Sequence, residues 1–123
     1  MEFCNEAYYL FFSTLANRTR LTILDVLEGG PKTVSEISAA LKTEPEYVVQ
    51  NLKPLTACAF LHSEGSGEQK RYSLNMEIVE PIGHILAFHA AKYCPKLQKC
   101  IPEERLKEYM KAEAAKETYV EHE

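Results

Sequence analysis

The chain has 123 residues, enough for one compact domain and too few for a catalytic site framed between two. Hydrophobic residues make up 46% and charged residues 26%, a balance that supports a packed core and excludes disordered, collagen-like and low-complexity chains. A formal net charge of -4 gives no global reason to bind nucleic acid, so any such case rests on how charge is distributed locally.

No apolar run approaches the roughly 18 residues of a membrane-spanning helix, and the opening Met1-Glu2-Phe3-Cys4-Asn5-Glu6 lacks the basic flank of a signal peptide. A cytoplasmic protein with no membrane partner is expected. In that compartment the four cysteines read as thiols for metal or redox chemistry, or as small buried hydrophobes, rather than as a disulfide framework. Residues 32–74 carry five basic and five acidic groups, while residues 101–123 carry four basic and seven acidic. The excess negative charge is concentrated in the tail, which separates residues 1–100 from a charged C-terminal helix or tail at 101–123.

Phe3, Ala7, Tyr8, Leu10 and Phe11 have the spacing of a first helix that buries a broad face. Asn17 offers an N-cap to a second helix with Leu21, Ile23, Leu24 and Leu27 as its stripe, stopped by Gly29-Gly30-Pro31. Thr33-Val34-Ser35-Glu36 has the form of a capping box for a short third helix along Val34, Ile37 and Leu41. Thr43-Glu44-Pro45-Glu46 repeats that form, and Val48, Leu52 and Leu55 line a fourth helix in which Pro54 predicts a bend near Gln50. Two short capped helices in tandem are a helix-turn-helix candidate.

From Phe60 the period changes to strand, glycine turn, strand: Phe60 to Ser63, Glu64 to Glu68, and a basic return strand Gln69 to Leu74. A long helix follows, apolar at Ile78, Val79, Ile82, Ile85 and Leu86 and over more than one stripe, and ends at Cys94-Pro95. A helical dimer interface explains its breadth. After Cys100, Pro102 starts a charged helix with Leu106, Tyr109, Met110 and Ala114 on one face, fraying toward Glu123. The fold class is therefore mainly α with a small β-hairpin.

The segments Leu15-Ala16-Asn17-Arg18-Thr19-Arg20-Leu21-Thr22-Ile23-Leu24, Val34-Ser35-Glu36-Ile37-Ser38-Ala39-Ala40-Leu41, Asn51-Leu52-Lys53-Pro54-Leu55 and Lys70-Arg71-Tyr72-Ser73-Leu74 stand in an order that closely resembles the arsenic-repressor (ArsR/SmtB) family of transcription regulators. The resemblance spans about residues 8–93. It implies a winged helix-turn-helix, a homodimer joined through the first and the long C-terminal helices, and repression of transcription at a double-stranded DNA operator until an inducer binds. The family's helix-three arsenic cysteines are replaced here by Ser38 and Ala40. Its long-helix zinc ligands fall at Met76, Ile78, His89 and Lys92, and one ligand of four does not hold zinc. His89 then reads as a packed residue of the dimer interface with Ile78, Ile82, Ile85 and Leu86, because His84 lies about 140° away around the helix.

In such a fold the fourth helix enters the major groove and the wing follows the backbone. Tyr47, Gln50 and Asn51 are the base-reading candidates, since Gln and Asn amides pair bidentately with adenine. Lys53, Lys70 and Arg71, with Lys42 and Arg18 in reserve, form the phosphate-contacting set, and Gln69 beside them is a further DNA-binding candidate. Cys94 and Cys100 flank a segment broken by Pro95, so the two thiols can turn toward each other, and Lys92, Lys96 and Lys99 favour the thiolate. Such thiolates suit a soft metal or metalloid ion, an iron–sulfur cluster, or reversible oxidation. Cys4 is the expected third donor; Cys58 is expected in the core, and as a ligand it would disturb the fourth helix. Two alternatives compete with a thiol-controlled repressor: a regulator or winged helix without inducer sensing, the latter serving only protein partners, and a thiol-redox enzyme. No Cys-x-x-Cys pair, catalytic triad or phosphate-binding glycine loop supports an enzyme.

Overall fold

The computed structural model describes residues 3–121, with side chains as far as Ala112. Ala114 and Glu123 of the expected tail helix lie outside the described side chains. The chain forms two compact units, Met1–Ile78 and Val79–Glu123.

The first unit runs α1 (Asn5–Leu15), α2 (Arg18–Leu27), β1 (Lys32–Thr33), α3 (Val34–Leu41), α4 (Pro45–Ala57), β2 (Leu61–Glu64), a 3-10 turn at Gly67–Gln69, and β3 (Arg71–Leu74). Its sheet has the order β1-β3-β2 and is antiparallel throughout. The expected hairpin is therefore β2 and β3, with Glu64 opposite Arg71 and Leu61 opposite Leu74. The strand β1 was not foreseen. Two residues carry no alternating pattern, and β1 exists because the chain leading into α3 runs beside β3, with Thr33 opposite Arg71. Gln69 likewise sits in the turn and not in the return strand.

The core is made where the helical stripes meet: Ile23 and Leu27 from α2, Ile37 from α3, Val48, Leu52 and Leu55 from α4, and Phe60 and Leu61 at the start of the wing. Phe60 is wholly buried. It lies just past Ala59, whose φ of 62° turns the chain sharply enough for the Phe60 amide to bond Leu55 O. Buried Asn75 closes the other side, donating from Nδ2 to Ala59 O at 2.8 Å and from its amide to Phe60 O. The wing is thereby fastened to the end of α4.

The helix boundaries follow local chemistry. Asn17 caps α2 by accepting from the Arg20 amide. Thr33 and Glu36 form the expected reciprocal capping box at α3. The second box does not form. Helix α4 begins at Pro45 with Glu44 as N-cap and no side-chain cap, so its third position is Tyr47 and Glu46 is out of register for the reciprocal bond. Thr43 is engaged elsewhere, its amide on Ser38 O and its carbonyl accepting from the Ser38 hydroxyl. Helix α4 continues through Pro54 to Ala57, so the proline does not shorten it.

Helix α1 differs most from expectation. It has no buried residue, and Phe11 meets the core at its edge, its ring 5.3 Å from that of Phe60. Leu21 of the α2 stripe is also exposed.

Helix α5 (Met76–Tyr93) starts at the end of the first unit and runs through the second, followed by α6 (Pro95–Gln98) and α7 (Glu103–Glu121). Cys94 ends α5 in a non-helical conformation ahead of Pro95, as expected for a residue preceding proline. The Gln98 amide donates back to Ala90 O at 2.7 Å and Ala91 O at 3.1 Å, satisfying carbonyls that the last turn of a helix leaves open. His84 on α5 meets Tyr109 on α7 edge to face, with centroids 5.9 Å apart. No helix among the described residues is long and apolar enough to cross a membrane.

Candidate nucleic-acid interface

Helix α4 presents two chemically distinct sides. Val48, Leu52 and Leu55 are buried, whereas Glu46, Tyr47, Gln50 and Lys53 are exposed. This sorting places Tyr47, Gln50 and Lys53 on the open side, as expected. Asn51 is not there. It lies three residues from Val48 and four from Leu55, which on a 3.6-residue helix is the inner stripe, and it is buried. Its Nδ2 donates to Tyr47 O at 3.0 Å and its Oδ1 accepts from Arg20 Nε at 3.3 Å. Both ends of the amide are occupied, so Asn51 ties α4 to α2 and does not face outward with Tyr47 and Gln50.

Helix α2 grips this turn of α4 at two points. The Tyr47 hydroxyl is 3.1 Å from Thr19 Oγ1, one residue before Arg20. Arg20 also donates from Nη1 to Thr14 O at 3.2 Å, joining the end of α1. Neither role was read from the sequence, because a half-buried arginine between two helices has no periodic signature of its own.

The wing meets α3 beside this helix. A polar groove of about 600 Å³ lies between them, lined among others by Ser35, Glu36, Pro45, Lys70 and Arg71. On one wall Arg71 Nη1 is 3.3 Å from Glu36 Oε1 and 3.3 Å from Pro31 O. Glu36 also accepts from the Thr33 amide at 3.0 Å and the Thr33 hydroxyl at 3.1 Å. These hydrogen bonds, the amide's first, hold its carboxyl below the ordinary 4.5, with smaller pulls from Arg71 and Lys32. Arg71 therefore braces the wing against α3, and a phosphate would have to compete for it. Lys70, its ammonium 5.6 Å from the Tyr72 ring, and exposed Lys53 and Gln69 have no such brace. Lys42 and Arg18 are exposed as well.

All four cysteines are free thiols. Cys94 and Cys100 stand at the two ends of α6, with Cys100 Sγ 3.8 Å from Lys96 O. The helix break at Pro95 is as expected, and the chain coils at once into the short α6 between the two cysteines. Cys4 is exposed at the N-cap of α1. Cys58 is exposed rather than in the core: it caps the end of α4, past the last apolar turn, with Sγ 3.8 Å from Thr14 Oγ1. Among the described residues no three His, Cys, Asp or Glu side chains gather as a metal would require.

On α5 the interface candidates Ile78, Ile82, Ile85, Leu86 and His89, with Tyr93, lie within about 100° of arc. Ile85 is 69% exposed and Tyr93 68%, against 0% for Ala90.

Residues 17–58 match the family model described as "Bacterial regulatory protein, arsR family". No curated protein matches the chain. Among solved structures, Rv0081 of Mycobacterium tuberculosis is 22% identical, with a TM-score of 0.64 over 79% of this chain and 99% of its own. HlyU of Vibrio cholerae is 23% identical, with a TM-score of 0.58 over 76% and 99%. The homodimeric winged helix-turn-helix DNA-binding domain Mb0332 of Mycobacterium bovis is also 23% identical, with a TM-score of 0.58 over 76% and 91%. These likenesses establish the winged-helix fold. Residues 17–58, which span α2 to α4, are thus similar to the helix-turn-helix of the arsR family of bacterial regulatory proteins, within a chain of winged-helix fold.

Proposed function

We propose that this protein is a homodimeric repressor that reads an operator with α4 and is released from it by a signal acting on thiols. The observation that carries the reading is the sorting of α4: its apolar side is fully used by the core, and Tyr47, Gln50 and Lys53 are left open beside the wing. Gln50 and Tyr47 would contact base edges in the major groove, with Lys53, Lys70 and Gln69 on the phosphates. Arg71 would join them only by leaving Glu36.

A second copy of the chain would cover the apolar faces left open on α1 and α5. Tyr9, Leu10 and Phe12 on α1, and Ile85, Leu86 and Tyr93 on α5, are all exposed. That the Mb0332 domain is homodimeric supports a homodimer here. Cys94 and Cys100 would carry the signal. Bridging them by oxidation would act across α6, whose Gln98 holds the end of α5, so the change would reach the dimer helix. Holding a soft metal or metalloid ion or an iron–sulfur cluster would need further donors, with Cys4 of a second copy the candidate.

The test is binding of fluorescent duplexes from the protein's own upstream region at rising salt, with and without arsenite, cadmium or a mild disulfide oxidant. Binding that falls steeply with salt and is weakened about 5–150-fold by one of these treatments is expected. No binding at low salt would turn the reading toward a winged helix that serves protein partners. A Cys94→Ser/Cys100→Ser chain that responds like the wild type would remove these thiols as the sensor.

A further inference from the structure

We propose that Arg20 is the positioning residue that fixes the reading helix relative to α1, through one guanidinium bonded to both; this rests on the reading of α4 as the DNA-contacting helix. Its two ends meet different elements. Nη1 donates to Thr14 O at 3.2 Å, and Nε donates to Asn51 Oδ1 at 3.3 Å. Thr14 lies in the last turn of α1 (Asn5–Leu15), where carbonyls lack helical partners and a cation is favoured by the helix dipole. Arginine suits this place because its donors form a rigid fork that binds two acceptors with the angle between them fixed.

At the other end Asn51 is not a passive acceptor. Its Nδ2 is committed to Tyr47 O, which leaves Oδ1 as the atom that faces Arg20. The bond chain thus runs from the end of α1 through Arg20 and Asn51 to the backbone of Tyr47, the first exposed residue of the reading face with a ring. Thr19, adjacent on α2, holds the hydroxyl of that same Tyr47 at 3.1 Å. Consecutive α2 residues therefore fix one turn of α4 at both its inner and its outer side, and the inner contact also anchors α1. Loss of Arg20 frees α4 to rotate over its apolar contacts, which are not directional, and so misaligns Gln50 and Tyr47 before it loosens the core.

The experiment uses the full chain, with the duplex that the wild type enriches from a random-sequence library and a scrambled duplex of the same composition. The readout is the ratio of the two affinities, measured beside the melting transition and the dimer dissociation constant. Arg20→Ala and Asn51→Ala are each expected to lower the ratio about tenfold, about 1.4 kcal/mol, while the dimer constant stays within about threefold, an allowance of roughly 0.7 kcal/mol. The double variant is expected to lose no more than either single one, because both cut the same chain of bonds. Arg20→Lys, which keeps the charge without the fork, is expected to remain impaired. If Arg20→Ala does not fold, Arg20→Lys decides, because it leaves the Asn51 Nδ2 bond to Tyr47 O in place, whereas Asn51→Ala removes that bond together with the acceptor for Arg20. Unchanged discrimination in these variants, or full additivity in the double variant, overturns the proposal. A wild type that enriches no sequence overturns the DNA-reading assignment and this proposal with it; a wild type that discriminates beside variants that do so equally overturns this proposal alone.

Discussion

Helices α4 and α5 are both amphipathic, and they dispose of their apolar sides in opposite ways. On α4 the apolar stripe is spent inside the chain: Val48, Leu52 and Leu55 are buried against α2, α3 and the wing. On α5 the stripe of Ile82, Ile85, Leu86 and Tyr93 is left largely open, and Ala90 is the buried residue. A helix whose apolar side is satisfied can offer its polar side to a polar ligand. A helix whose apolar side is unsatisfied needs another apolar surface. Under the proposed function the contrast would separate reading from assembly within one small chain, and it can be tested from either side.

The largest effect belongs to the sealed side. Phe60→Ala removes a fully buried ring beneath α4 and is expected to destabilise the chain by about 3–5 kcal/mol, read as a lower denaturant midpoint. Ile85→Glu should leave the thermal transition of the isolated chain nearly unchanged. It should weaken self-association by at least about 2 kcal/mol, roughly thirtyfold, as loss of a central interface residue does, and sedimentation velocity on dilution measures it. If Ile85→Glu dimerises as the wild type does, α5 is not an assembly surface and the contrast fails.

Smaller effects sharpen the reading side. Gln50→Ala should lose about 1–3 kcal/mol of discrimination at one base position while keeping the salt slope. Lys70→Ala should instead flatten that slope by about 0.9 for each phosphate left unneutralised and leave sequence preference intact. Anisotropy titrations at several salt concentrations separate the two. The smallest concerns Thr33 and Glu36. Thr33→Ala should cost about 1 kcal/mol at neutral pH. Because the folded state holds the Glu36 carboxyl below its ordinary 4.5, its contribution is full above that value and fades as pH falls through the lowered one. Acid melts of wild type and Glu36→Gln should converge in that range.

What could be read from the sequence was what local chemistry decides. The Asn17 cap, the Thr33–Glu36 box, the stripes of α2 to α4 and the stop at Cys94-Pro95 each depend on residues a few positions apart. What could not be read depends on where distant segments meet. Strand β1 exists only because β3 runs beside it, and Arg20 gains its role from Thr14 and Asn51 on other helices. Asn51 has a nearer explanation: its amide suits base reading, but the 3.6-residue period puts 51 with 48, 52 and 55 on the buried side. Cys58 was assigned to the core by extending the α4 stripe past the point where Ala59 turns the chain. The Thr43 box failed by one residue of register, since Pro45 sets the start of α4. The breadth of apolar residues on α5 was legible, but the exposure of α1 was not, because an aromatic-rich helix reads as buried until its neighbours are known.

The most direct test of the central claim is enrichment of duplexes from a random library by the full chain, compared with a Tyr47→Ala/Gln50→Ala chain. The expected result is a two-fold symmetric motif with half-sites about 10 base pairs apart for the wild type, lost in the variant although salt-dependent binding persists. The same motif enriched by both chains, or no motif from a dimeric wild type, would contradict the assignment of α4 as the reading helix.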